Sequence, residues 1–212
     1  MVYGMEHSWT ARILVVLILC SAGCTDTLSE APPQKTVTPV PATIPTTEIP
    51  RLPQSPSDMA LQPSDLPSEY ILRDRSVMAL PEVSQLGRSL GWKQGYFVSY
   101  FRMNSNTNDI TRIQQSISIF SPDSINGVFL LEKDELKNQP VSPGTRYEIP
   151  FPSVGERSIA FRETTPADPE RPVTYTVIFT KKNVFEKITM SGTTTDYETL
   201  KRLVLRAEAL ID

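Results

Sequence analysis

The chain has 212 residues, with 21 Lys and Arg against 24 Asp and Glu and a formal net charge of −3. Charges of both signs are scattered, without a basic stripe, so nucleic-acid binding has no electrostatic footprint. The single histidine, His7, and both cysteines, Cys20 and Cys24, lie near the start. The chain beyond Cys24 therefore holds no disulfide, no Ser-His-Asp or Cys-His catalytic set and no His- or Cys-based metal site.

The first element is the apolar run "ILVVLILCSAGC", residues 13–24, which follows Arg12. It is about a dozen residues long, whereas a membrane-spanning helix needs roughly 20. That length fits the apolar region of a signal peptide over residues 1–23. Ser21, Ala22 and Gly23 before Cys24 resemble a lipobox. The resemblance implies cleavage between Gly23 and Cys24 and a diacylglycerol on the Cys24 thiol. The usual pattern has leucine three residues before the cysteine, and here Ser21 stands there. Cys20 fits less well, because the bulky Leu19 precedes it. An ordinary secretory signal and an uncleaved anchor are the alternatives. Two acyl chains hold stably, at about 0.8 kcal/mol per buried CH₂, so a lipidated Cys24 tethers the chain to the extracytoplasmic face of the cytoplasmic membrane.

Residues 24–60 form the second region. "APPQKTVTPVPATIPTTEIPRLPQSPS" is rich in Pro, Thr and Ser. Proline lacks an amide donor and fixes φ, so this stretch is expected to be a disordered or polyproline-like tether. At about 3.1 Å per residue it reaches on the order of 100 Å. No N-x-S/T acceptor occurs in the chain.

Residues 61–212 suit one domain. "SEYILRDRS" (68–76) reads as a strand. "LPEVSQLGRSLGW" (80–92) reads as a short helix with Val83, Leu86 and Leu90 on one face, weakened by Gly87. "KQGYFVSYFRM" (93–103) is a strand apolar on both faces, hence covered on both sides. After a turn at 104–109, "ITRIQQSISIF" (110–120) alternates strictly, with Ile113, Ile117 and Ile119 opposite Gln114, Ser116 and Ser118. A helix follows over 121–138, then a proline-rich loop with a short strand at 146–149, and a strand at 156–164. Residues 165–172 are an exposed loop. "VTYTVIFTKKNVFEKITMS" (173–191) is the clearest hairpin: Val173, Tyr175, Val177 and Phe179 face Val184, Ile188 and Met190, and Asn183 is the residue expected in the left-handed region. The last helix carries an apolar stripe from Tyr197 to Ile211, with Thr195 and Glu198 at capping-box spacing. The order gives an α+β fold, a mostly antiparallel sheet of about six strands with helices packed on it.

The stretch "VGERSIAFRE" leading into a strand, the hairpin "TVIFTKKNVFEKITMSG" and the closing helix together resemble Mog1/PsbP-like sheet domains of extracytoplasmic lipoproteins. The resemblance implies that Gly155 takes a tight turn. Its acidic position is usually Asp, and here it is Glu156. It implies a binding or accessory module over about residues 65–212 and assigns no functional residue.

Candidate chemistry is sparse. Glu132, Asp134 and Glu135 could hold a divalent cation, but they fall on a predicted helix beside Lys133 and Lys137, where a solvated face is the plainer reading. Asp168 and Glu170 read as exposed turn residues. Arg102 and Arg112 flank the first hairpin loop, and Lys181 and Lys182 cap the second; together they could grip an anion, or be ordinary surface charge. Trp92, Tyr96 and Tyr100 could line a ligand groove, or pack in the core. The candidate ligand surface is thus Trp92, Tyr96, Tyr100, Arg102 and Arg112. No metal, cofactor or catalytic residue is expected. The expected role is a non-catalytic module that meets another envelope protein. A small-ligand module with a pocket between sheet and helix is the alternative.

Overall fold

A computed structural model describes residues 54–104, 107, 109–141, 144–164 and 172–212. Seven strands form one sheet: β1 (Ile71–Val77), β2 (Gln94–Asn104), β3 (Asp109–Ile119), β4 (Thr145–Ile149), β5 (Arg157–Thr164), β6 (Val173–Lys181) and β7 (Val184–Gly192). Their spatial order is β1-β2-β3-β7-β6-β5-β4, and every neighbouring pair is antiparallel. The short edge β4 lies where a short strand was expected at 146–149 and brings the sheet from about six strands to seven. Three helices accompany the sheet: α1 (Gln85–Ser89), α2 (Ile125–Asn138) and α3 (Tyr197–Ala209). The fold is α+β, as the order of elements implied.

Alternation on the strands creates two faces. On the first, Ile113 and Ile117 of β3, Ile188 and Met190 of β7, and Val177 and Phe179 of β6 are all buried. Register places Tyr175 opposite Met190 and Val177 opposite Ile188. Leu200, Leu203, Val204 and Ala207 of α3 cover this face together with an irregular strap, residues 54–70. Met59 and Ala60, the end of the expected tether, belong to the strap and are buried in the core. Their apolar side chains run on into Leu61 between Pro56 and Pro63, so the chain is committed to the domain before residue 61.

On the second face Ile159 and Phe161 of β5, Ile178 of β6 and Phe185 of β7 pack under Ile125, Val128, Phe129 and Leu136 of α2. Among the described residues the two core clusters run from Met59 to Ile211.

Local chemistry departs from the sequence reading in four places. The helix expected over 80–92 is a 3₁₀ turn, Leu80–Glu82, followed by the short α1. Val83 and Ser84 between them are extended, and the Ser84 hydroxyl accepts from the Gly87 amide to start α1 anew. Of the apolar face expected there, Val83 and Leu90 are half-buried, Leu90 against the second-face core, and Leu86 is exposed. α3 is capped by Asp196 rather than Thr195, because its carboxylate accepts from the Glu198 and Thr199 amides at 3.1 and 3.3 Å. At the β6–β7 turn Lys182, not Asn183, has φ of 54°. β2 is interior but covered unevenly: Val98 and Tyr100 on one face and Ser99 on the other are buried, while Phe97 and Phe101 are half-buried.

Gly155 does take a tight turn. Its φ is +58°, and a Cβ there would meet the Thr180 carbonyl oxygen at 2.2 Å. Only glycine fits such an approach.

Candidate functional site

The second face is covered unevenly. α2 packs over β5, β6 and β7, while the short α1 stands off across β3. Between the two helices lies a groove of about 360 Å³. Its floor is Ser116 and Ser118 of β3 with Phe185 and Lys187 of β7. Val83, Leu86 and Leu90 form the α1 wall; Val128, Leu131, Glu132 and Glu135 form the α2 wall; Trp92 closes one end. The groove is therefore apolar at its sides and polar below. The Lys187 ammonium meets the Glu132 carboxylate at 2.6 Å, linking floor to wall. The Trp92 indole N–H lies 3.4 Å from the Ser118 hydroxyl, a long contact that leaves the hydroxyl available to another partner. Hydroxyls, an ammonium and a carboxylate converging between apolar walls are what a small-molecule site requires.

Of the five residues expected on a ligand surface, Trp92 alone lines this groove. Tyr96 lines a separate cavity at the sheet edge. Tyr100 is core: its hydroxyl donates to the Leu61 carbonyl at 2.7 Å, and burial pushes its pKa up to about 12. Arg102 is engaged on the first face. It lies 5.3 Å from the centre of the Tyr70 ring, meets Glu69 at 3.3 Å and donates to the Thr194 carbonyl at 2.9 Å.

Arg112 sits on the opposite face from Arg102, because Phe101 pairs with Arg112 and Arg102 with Thr111. Its Nε is buried without a hydrogen-bond partner among the described residues. Lys181 and Lys182 lie at the other end of the sheet, since β3 pairs with β7 from Arg112–Ser191 to Ile119–Val184. Seven strand steps of about 3.3 Å keep the two cationic pairs too far apart for one small anion. Lys181 already pairs with Glu208 at 3.1 Å, and Lys182 donates to the Asp212 carbonyl.

Glu132 is held by Lys187, while Asp134 and Glu135 are exposed on α2, and no cluster of three acidic or cysteine ligands exists among the described residues. Asp168 and Glu170, and Gly23 and Cys24 at the signal, lie outside the described residues.

Sequence reasoning missed one buried polar network. Glu186 is wholly buried on the first face, beside Ile117 and Phe179 in register. Its Oε2 accepts from the Gln115 amide at 2.9 Å, while Oε1 has no partner among the described residues. Gln115 Oε1 in turn accepts from the Leu61 backbone N–H at 2.8 Å. The chain Leu61–Gln115–Glu186 pins the strap to the sheet. Desolvation pushes the Glu186 carboxyl up to about 8, so it is largely protonated at neutral pH. The signal was present: strict alternation of Val184, Ile188 and Met190 puts position 186 on the same apolar face.

No protein-family model matches the chain, and no curated protein matches it in sequence. Among solved structures there is a neighbour. The chain is similar in fold to the extracellular domain of PknH from Mycobacterium tuberculosis. The TM-score is 0.55 at 10% identity, over 75% of this chain and 97% of the PknH domain. At that identity the likeness shows the shared fold, and the groove and the Glu186 network stand on this chain's own residues. No helix among the described residues is long and apolar enough to cross a membrane.

Proposed function

We infer that the protein is a non-catalytic binding module, tethered to the extracytoplasmic face of the membrane through a lipidated Cys24. The observation that carries the binding role is the groove between α1 and α2, with Ser116, Ser118 and Lys187 on its floor. It favours a small ligand with an apolar body and a few polar groups. The fold likeness to an extracellular domain supports the address, and the lipobox-like "SAGC" supports the anchor. A second reading, docking of another envelope protein, is favoured by Leu130 and Leu131, which α2 leaves exposed.

The test is a thermal-shift screen of the mature chain, residues 24–212 with Cys24→Ser, against metabolites and sugars. A compound at 100 times its Kd adds about 2.7 kcal/mol and moves the midpoint by several degrees. The shift should vanish in Ser116→Trp, which fills the groove. A flat screen, or a shift that Ser116→Trp leaves intact, refutes the groove reading. Alkyl-lipid labelling in cells tests the anchor separately: Cys24→Ala must lose both label and membrane association.

A further inference from the structure

The groove between α1 and α2 carries an unbalanced charge. Its charged lining residues are Glu82, Glu132, Glu135 and Lys187. Lys187 is engaged by Glu132 at 2.6 Å, so that pair is neutral. Glu82 and Glu135 are exposed, and neither meets a Lys or Arg among the described residues. The Glu82 carboxylate accepts from the Ala79 amide at 2.7 Å through Oε2, which leaves Oε1 outside that bond. Two carboxylates therefore stand in the lining with no unpaired cation beside them.

Helix periodicity explains the placement. Val128, Leu131, Glu132 and Glu135 stand at i, i+3, i+4 and i+7 on α2, one stripe turned to the groove. Lys133, Asp134 and Lys137 fall off that stripe, and none of them lines the groove. Arg88 of α1 does not line it either, and Lys93, next to Trp92, lines the cavity at the sheet edge instead. The nearby cations stand outside the groove.

The surroundings favour one kind of ligand. Val83, Leu86, Leu90, Val128 and Leu131 are apolar walls that lower the local dielectric, where a fixed charge acts more strongly than in water. The Trp92 indole at one end attracts a cation to its π face. Ser116 and Ser118 offer hydroxyl oxygens that accept hydrogen bonds. Carboxylates and hydroxyl oxygens match the three donors of an ammonium. An anionic ligand fits poorly. It would meet Glu82 and Glu135, and it could take Lys187 only by breaking the pair with Glu132. We propose that the groove binds an organic ammonium, an amine with an apolar body, whose charge is held by Glu82 and Glu135 and whose body lies between the α1 and α2 walls. The assignment rests on the groove reading above and adds the ligand class to it.

Three probes with one body and different heads test it: phenylbutylamine, phenylbutanol and phenylbutyrate. The chain is residues 24–212 with Cys24→Ser, in which Trp92 is the single tryptophan. Each probe is titrated at low salt while NMR follows the Trp92 indole N–H and the Ser116 and Ser118 amides. The amine should move these signals with an affinity about tenfold above that of the alcohol, a gain that two exposed charge pairs can supply. Phenylbutyrate should bind weakest, and the amine's lead should shrink at high salt. Glu82→Gln with Glu135→Gln should lower the amine to the level of the alcohol. Gln keeps an acceptor for the Ala79 amide and both side chains are exposed, so the melting midpoint should hold. Asp134→Asn, which removes an acid of α2 outside the groove, should leave the lead intact. Equal affinities for amine and alcohol, a tighter phenylbutyrate, a lead that survives the double variant, or one that falls with Asp134→Asn overturns the ammonium assignment and leaves the groove standing. Shifts outside the groove for all three probes, or none at all, overturn the groove reading as well.

Discussion

The two faces of the sheet are built from the same strands and do different things. The first is sealed: α3 and the strap bury Ile113, Ile117, Ile188 and Met190 completely. Its buried carboxyl, Glu186, is cut off from solvent and pinned to the strap through Gln115. The second is half-covered: α2 closes the β5–β7 end, and short α1 leaves a groove over Ser116 and Ser118. A long amphipathic helix with a sound cap seals; a five-residue helix restarted after Val83 and Ser84 does not. Buried packing is concentrated on the sealed face, and the groove lies on the open one.

The largest expected effect comes from Glu186. The folded state holds its proton to about pH 8, whereas the unfolded carboxyl releases it near 4.5. Between those values the folded state binds more protons, so stability falls as pH rises and levels off above about 8. Denaturant unfolding should show the wild type less stable at pH 9 than at pH 5 by a few kcal/mol, at about 1.4 kcal/mol per pH unit. Glu186→Gln should flatten that slope and be the more stable chain at pH 9. A wild-type curve that is flat, or that rises, would mean Glu186 is not a desolvated carboxyl.

Next is Leu203→Ala, under the centre of α3. It should cost about 3 kcal/mol, from lost burial plus the cavity left behind, read as a lower urea midpoint. Asp196→Ala removes both cap bonds of α3 and should cost about 1 kcal/mol by the same assay. On the open face Leu86→Ser should cost less than about 0.5 kcal/mol, because its side chain is already exposed. If Leu86→Ser were as costly as Leu203→Ala, the contrast between the faces would be wrong.

Much of the sheet was legible in the sequence, because alternation and turn residues are local signals. The hairpin β6–β7, the long strand β3 and the helix α3 lie within a residue or two of where the pattern put them. The short edge β4 was weakly signalled, since an edge strand needs no second apolar face. The helix expected over 80–92 failed because i, i+3, i+7 spacing says nothing of whether a partner surface exists. The extended backbone at Val83 and Ser84 broke it. The strap was hidden by its prolines, which read as tether although Met59, Ala60 and Leu61 carry core side chains.

The candidate site was barely legible. Trp92 was singled out, but Ser116 and Ser118, which share the groove with it, were read only as the polar side of an alternating strand. Arg102 and Arg112 are near in sequence yet stand on opposite faces, because the hairpin register pairs Arg102 with Thr111 and Phe101 with Arg112. The groove exists because α1 is short and α2 is long, and that difference is tertiary.

The most direct measurement is backbone and indole NMR shift mapping on residues 24–212, using the strongest compound from the thermal screen. The open-face reading predicts shifts at the Trp92 indole N–H and at the Ser116 and Ser118 amides, with Leu61, Gln115 and Glu186 unmoved. Shifts confined to the strap and α3, with the groove silent, would contradict it.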